Sequence, residues 1–142
     1  MKAKQVTVFL ENKSGRLNEV AQILGNANIN ISAFTVADTS DFGVLRLIVS
    51  DPVKACEVLK ENLFSVRTTD VVLVNSPNRP GALSRMLQIL SGEGIFIEYL
   101  YAFSMNDETA VIAIRPTDVD RCVQILENHK DELSSGSGDY KF

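Results

Sequence analysis

Val6, Val8 and Leu10 alternate with Thr7 and Phe9, the period of a strand, until NKSG breaks the run. Leu17, Val20, Ala21 and Leu24 then recur at helical spacing and predict one apolar stripe that ends at Gly25 and Asn26. Two strand-like runs follow, Ile29 to Ala37 and Gly43 to Val49, separated by DTSD, and together they predict a hairpin. A second helix is expected to start at Asp51 and Pro52 and to bury Ala55, Cys56, Leu59 and Leu63, after which Phe64 to Thr68 reads as a short closing strand.

The same series then runs again. Gly15 and Gly81 lie 66 residues apart, and at that one offset, without a gap, Asn12 meets Asn78, Leu17 meets Leu83, Gln22 meets Gln88, Ile31 meets Ile97, Cys56 meets Cys122 and Asn62 meets Asn128. The second copy has Val71 to Val74 as first strand, NRPG as turn with Pro80 in the first helical turn, and Leu83, Met86, Leu87 and Leu90 as stripe. Its hairpin runs over Ile95 to Ser104 and Thr109 to Arg115. A helix capped by Thr117 and burying Val119, Cys122, Ile125 and Leu126 comes next.

The expected architecture is α+β: the order βαββαβ twice, each unit an antiparallel four-stranded sheet with two helices on one face. The boundary falls near Thr68 to Asp70, which gives one domain over residues 1–69 and another over 70–142. Where the last strand of copy two is due the chain reads KDELSSGSGDYKF, Ser- and Gly-rich over residues 134–138, so that strand is either displaced to Asp139–Phe142 or missing.

Composition narrows the function. Fourteen Lys and Arg against eighteen Asp and Glu give a net charge of −4 with no basic run, whereas a phosphate-tracking protein draws its affinity from a cationic patch. The first strand offers only Phe9 for base stacking, and the alternating Tyr99, Tyr101 and Phe103 are expected in a core or a pairing interface. The apolar stretch Val6 to Leu10 is too short for a signal peptide, and no run approaches the roughly 18 residues of a membrane span, so a cytoplasmic location is expected.

Two cysteines and the single His129 form no cluster, so metal, cofactor and thiol-imidazole chemistry are not expected; the thiols read as buried and the histidine as exposed near a helix end. The carboxylates read as solvated charge, which argues against catalysis. Both copies do place special residues in the turn between first strand and first helix, NKSGRL and NRPGAL. Glycine there admits close backbone approach, and a helix start offers unpaired N–H groups to a carboxylate. Asn12, Asn78 and Asn30 add amides that suit an ammonium or a carboxylate.

The stretch NRPGALSRMLQILSGEGIFIEYLYA resembles the ACT domain, a regulatory amino-acid-binding module, and the resemblance covers residues 4–133 in two copies. It implies ferredoxin-like units, paired edge to edge into an eight-stranded sheet either within one chain or in a homodimer. It also implies a free amino acid held by the turn's amides and completed by an Asn opening the second strand of a partner. The matching positions are Asn12, Ser14, Gly15, Arg16, Leu17 and Asn30 in copy one, and Asn78, Arg79, Pro80, Gly81, Ala82 and Leu83 in copy two. Phe96 stands where Asn30 would recur, so the site leaning on Asn12 and Asn30 is expected to be the better one. With no catalytic domain in the chain, the expected role is a stand-alone sensor acting on a separate metabolic enzyme or regulator, the alternative being a ligand-free dimerisation subunit.

Overall fold

The computed structural model describes residues 1–11, 13–38, 42–104 and 106–134. Its elements in chain order are β1 (Lys2–Glu11), α1 (Arg16–Asn26), β2 (Ile31–Asp38), β3 (Phe42–Val49), α2 (Pro52–Glu61), β4 (Ser65–Pro77), α3 (Ala82–Gly92), β5 (Ile97–Ser104), β6 (Thr109–Pro116), α4 (Val119–Asn128) and α5 (Lys130–Ser134). The α+β architecture of two ferredoxin-like units stands as expected. One unit comprises Lys4–Thr69, and the other joins Met1–Ala3 to the chain from Asp70 onward.

In the Lys4–Thr69 unit β1 pairs antiparallel with β3, Val6 facing Leu47 and Leu10 facing Gly43, and β2 pairs antiparallel with the other side of β3. The alternation read from the sequence places Val6, Val8 and Leu10 in a core with Leu45, Leu47, Val20, Leu24 and Leu59. The other unit repeats the pattern: β6 pairs antiparallel with β4 and with β5, and Val72, Val74, Ile112 and Ile114 pack against Met86, Leu90, Cys122 and Leu126.

The two short strands expected at Phe64 to Thr68 and Val71 to Val74 are one strand, β4, of 13 residues. Its first residues close the first unit's sheet. In the second unit the place beside β4 is taken by the start of the chain: the N–H of Leu73 donates to the carbonyl of Met1 at 2.6 Å, Met1 packs on that core, and Lys2 pairs with Asp120 at 3.2 Å. The alternative position at Asp139–Phe142 lies outside the described residues, and the chain leaving α4 forms the short helix α5.

Several local expectations are corrected. Asp118 caps α4 by accepting from the N–H of Arg121 at 3.0 Å, so the cap is not Thr117, while Asp51 caps α2 through the N–H of Lys54 as expected. Pro80 lies before the helix, whose N-cap is Gly81. Leu63 is 92% exposed, because it sits just past α2 with φ of 67° rather than on its buried face. Cys122 is buried and Cys56 only partly so; His129, at the end of α4, is half-buried beside Glu132, with Nδ1 and Oε1 3.1 Å apart.

Candidate functional site

The two turns singled out in the sequence have the same backbone in both units. Gly15 (φ 86°, ψ −9°) and Gly81 (φ 89°, ψ −15°) are the N-caps of α1 and α3. A Cβ on either would meet nothing within 4 Å, so glycine is required by its left-handed φ and not by crowding. Neither helix start receives a side-chain cap, and helix geometry leaves its first N–H groups without intrahelical acceptors. Each turn is tied down locally: the N–H of Arg16 donates to Lys13, that of Ala82 to Arg79, and that of Asn78 to Glu108 at 2.7 Å.

An open cleft is lined by the second turn, and in the first unit a cleft is lined by Glu11 and Arg16, on either side of the turn, but not by Ser14 or Gly15. In the second unit it measures about 300 Å³ and is lined by Arg79, Pro80, Gly81 and Ala82 of the turn together with Ser76, Pro77, Arg85, Glu132 and Leu133. Leu133, 6% exposed, anchors α5 in the core and brings Glu132 within 3.3 Å of Arg85. In the first unit the cleft measures about 230 Å³, and its walls are Phe9, Leu10, Glu11, Arg16, Phe42, Leu63, Phe64 and Ser65. There Arg16 lies over the Phe64 ring, 5.1 Å from its centroid, and its guanidinium meets Glu19 at 3.0 Å and Glu11 at 3.6 Å. Hydrogen bonding and charge from Lys13, 2.9 Å away, and then the charge of Arg16, hold the Glu11 carboxyl below its ordinary value.

Of the expected site residues, Arg16 lines the first cleft, and Arg79 through Ala82 line the second. Ser14 and Gly15 lie in the first turn, Leu17 and Leu83 are 47% and 45% exposed on their helices, Asn78 is exposed beside the second turn, and Asn12 lies outside the described residues. Asn30 does not join its own turn. It precedes β2, where its N–H donates to Ser50 Oγ at 2.9 Å, while Ile31 faces Val49 and Glu11 faces Phe42. Strand rise therefore puts it roughly 20 Å from the turn that follows Glu11, at the far end of the sheet.

Sequence reasoning missed Phe9, Glu11, Phe42 and Phe64 in the first cleft, and Ser76, Arg85, Glu132 and Leu133 in the second. They come from elements distant in the chain; the one available signal was their difference between copies, since Glu11 and Phe42 answer to Pro77 and Glu108 at the offset of 66. Among the described residues no group of three or more His, Cys, Asp or Glu could hold a metal, and no helix is long and apolar enough to cross a membrane.

A family model described as ACT domain pair matches residues 1–135. A crystal structure of a protein from Bacteroides thetaiotaomicron superposes with TM-score 0.88 at 53% identity, covering 92% of this chain and 90% of that one. The ligand-free regulatory subunit of aspartate kinase from Thermus thermophilus superposes with TM-score 0.66 at 14% identity, covering 90% and 96%. Its counterpart from Thermus flavus gives 0.63 at 15%, covering 90% and 94%, and both likenesses are of fold. No curated protein matches the chain.

Proposed function

The chain belongs to the ACT domain pair family, and from that premise we propose that it is a cytoplasmic regulatory protein, not an enzyme, which binds a free amino acid at its glycine turns and acts on a separate partner protein. One observation carries the reading: both units hold a glycine in the left-handed conformation at a helix start with open space around it, and in the second unit that glycine, Gly81, lines a cleft. A carboxylate placed there meets backbone N–H groups and the positive end of the helix. Asn12, Ser14, Arg16 and Leu17 in one copy, and Asn78 through Leu83 in the other, are the proposed contacts. Asn30 contributes only across an interface, from the edge of another sheet, as its position at the far end of its own unit requires. The Thermus proteins of this fold are regulatory subunits of a kinase, which is the kind of role proposed here.

A thermal-shift panel over the twenty amino acids tests it, because a ligand at 100 times its dissociation constant adds about 2.7 kcal/mol of stability. Gly15→Asp is expected to remove the shift of any ligand held at the first turn: Asp tolerates positive φ better than most residues, nothing obstructs its Cβ, and its charge repels the ligand's carboxylate. An undiminished shift in both Gly15→Asp and Gly81→Asp would place the ligand elsewhere.

A second reading, a ligand-free dimerisation subunit, draws on the edge strands. Phe34 and Val36 on β2 are 68% and 47% exposed, and Leu100 on β5 is 38% exposed. Silence across the panel together with a stable dimer would favour it.

A further inference from the structure

We infer that the first unit's cleft selects a zwitterionic amino acid with an apolar side chain, its carboxylate on Arg16, its ammonium on Glu11 and its side chain among Phe9, Phe42, Leu63 and Phe64. This rests on the amino-acid-binding reading and goes further by assigning the ligand class and the side chains that choose it, with the carboxylate in this unit on the Arg16 side chain instead of the turn's N–H groups.

The head-group end is set by opposite charges at a telling distance. Glu11 Oε2 is hydrogen-bonded to Lys13 Nζ at 2.9 Å and Arg16 Nη1 to Glu19 at 3.0 Å, whereas Glu11 Oε1 and Arg16 Nη2 face each other at 3.6 Å. That separation attracts without making a hydrogen bond. An α-amino acid presents the complementary pair, ammonium to Oε1 and carboxylate to Nη2, and inserts without breaking either made bond. Arg16 is also held over Phe64, so little side-chain freedom is lost on binding.

The other end is apolar. Phe42 and Leu63 are 45% and 92% exposed around the cleft, and Phe9 and Phe64 form its walls. Leu63 stands at this rim in the left-handed φ of 67° set by the end of its helix, a conformation that costs an L residue.

The repeat supplies an internal control. At the offset of 66, Glu11, Arg16, Phe42 and Leu63 answer to Pro77, Ala82, Glu108 and His129. The second unit forms the corresponding three consecutive strands and two helices without them, so these elements do not ask for those side chains. Its own cleft, with Arg79, Arg85 and Glu132, has Pro77, Pro80 and Leu133 but no aromatic side chain among its lining residues.

Calorimetric titration of the full chain tests this with L-leucine and L-phenylalanine against L-aspartate and glycine. Phenethylamine and 3-phenylpropanoate serve as phenylalanine without its carboxylate or its ammonium. The expected result is binding of leucine or phenylalanine and of neither truncated analogue. Binding is expected to weaken by about tenfold or more in Arg16→Gln and in Glu11→Gln, and also in Leu63→Gly, whose melting point rises because glycine relieves the strain. Melting of every variant without ligand shows that it is folded. Binding confined to polar or acidic amino acids, or apolar binding untouched by Arg16→Gln and Glu11→Gln, overturns this assignment and leaves amino-acid sensing standing. Silence from all twenty amino acids overturns both.

Discussion

At the scale of single residues, three helices end in one hydrogen-bond pattern with unequal residues at its crux. Asn28 (φ 59°), Leu63 (φ 67°) and Gly94 (φ 74°) each turn the chain left-handed, and the next residue's N–H reaches back to Leu24, Leu59 or Leu90. Glycine and asparagine suit that place and leucine does not, which is why helical spacing alone assigned Leu63 to the core. Cys122 is the opposite case, a side chain whose burial has a chemical consequence. Desolvation, helped by the charge of Asp118, pushes its thiol up to about 11. A raised pKa in the folded state means that the contribution is complete below the ordinary thiol value and is lost as pH climbs toward 11. Wild type is expected to lose on the order of 2 kcal/mol more than Cys122→Ala between pH 8 and pH 11, as read by urea unfolding. Equal losses would show that the thiol is hydrated.

At the scale of elements, what matters is which strand completes which sheet. The amphipathic helices were legible because burial repeats along the same short stretch that encodes it: Val20 and Leu24, then Met86 and Leu90, are the buried members of their stripes. The fourth strand of the second unit was not, because it comes from Met1–Ala3, more than sixty residues away from Leu73, and no local period announces such a partnership. β4 escaped notice for another reason. Thr68, Thr69 and Asp70 look like a seam by polarity, yet backbone pairing does not depend on side-chain polarity, and the strand runs through them. Deleting Met1–Ala3 removes the bond to Leu73, the packing of Met1 and the Lys2–Asp120 pair. It is expected to cost about 1–3 kcal/mol, felt mainly from Asp70 onward. Hydrogen exchange resolved by peptide checks this: equal loss of protection in Lys4–Thr69 would refute the assignment of those residues to the second unit.

At the scale of the whole molecule, the repeat was the most legible feature, since one constant offset carried element order from one copy to the other. The candidate site was legible only in its turns. Its walls required knowing that the end of β1, the start of β3 and the start of β4 converge, which is tertiary information, and Asn30, held away from its own turn, is left with the role expected of it, across an interface. The edge strands bear on assembly. Phe34 faces Leu47 across the ladder yet stays 68% exposed, an apolar side chain on an unpaired edge. Phe34→Lys is expected to leave the unfolding temperature of dilute protein within a few degrees of wild type and to shift any dimer toward monomer in light scattering. An unchanged mass would remove β2 as the pairing edge.

The borrowed strand also imposes an order of events during synthesis. Met1–Ala3 leave the ribosome well before Leu73 does, so the first unit can close on its own contacts while those three residues wait for a partner strand that has not yet emerged. A released chain ending at Thr69 should therefore carry one finished sheet in which Met1–Ala3 have no partner strand.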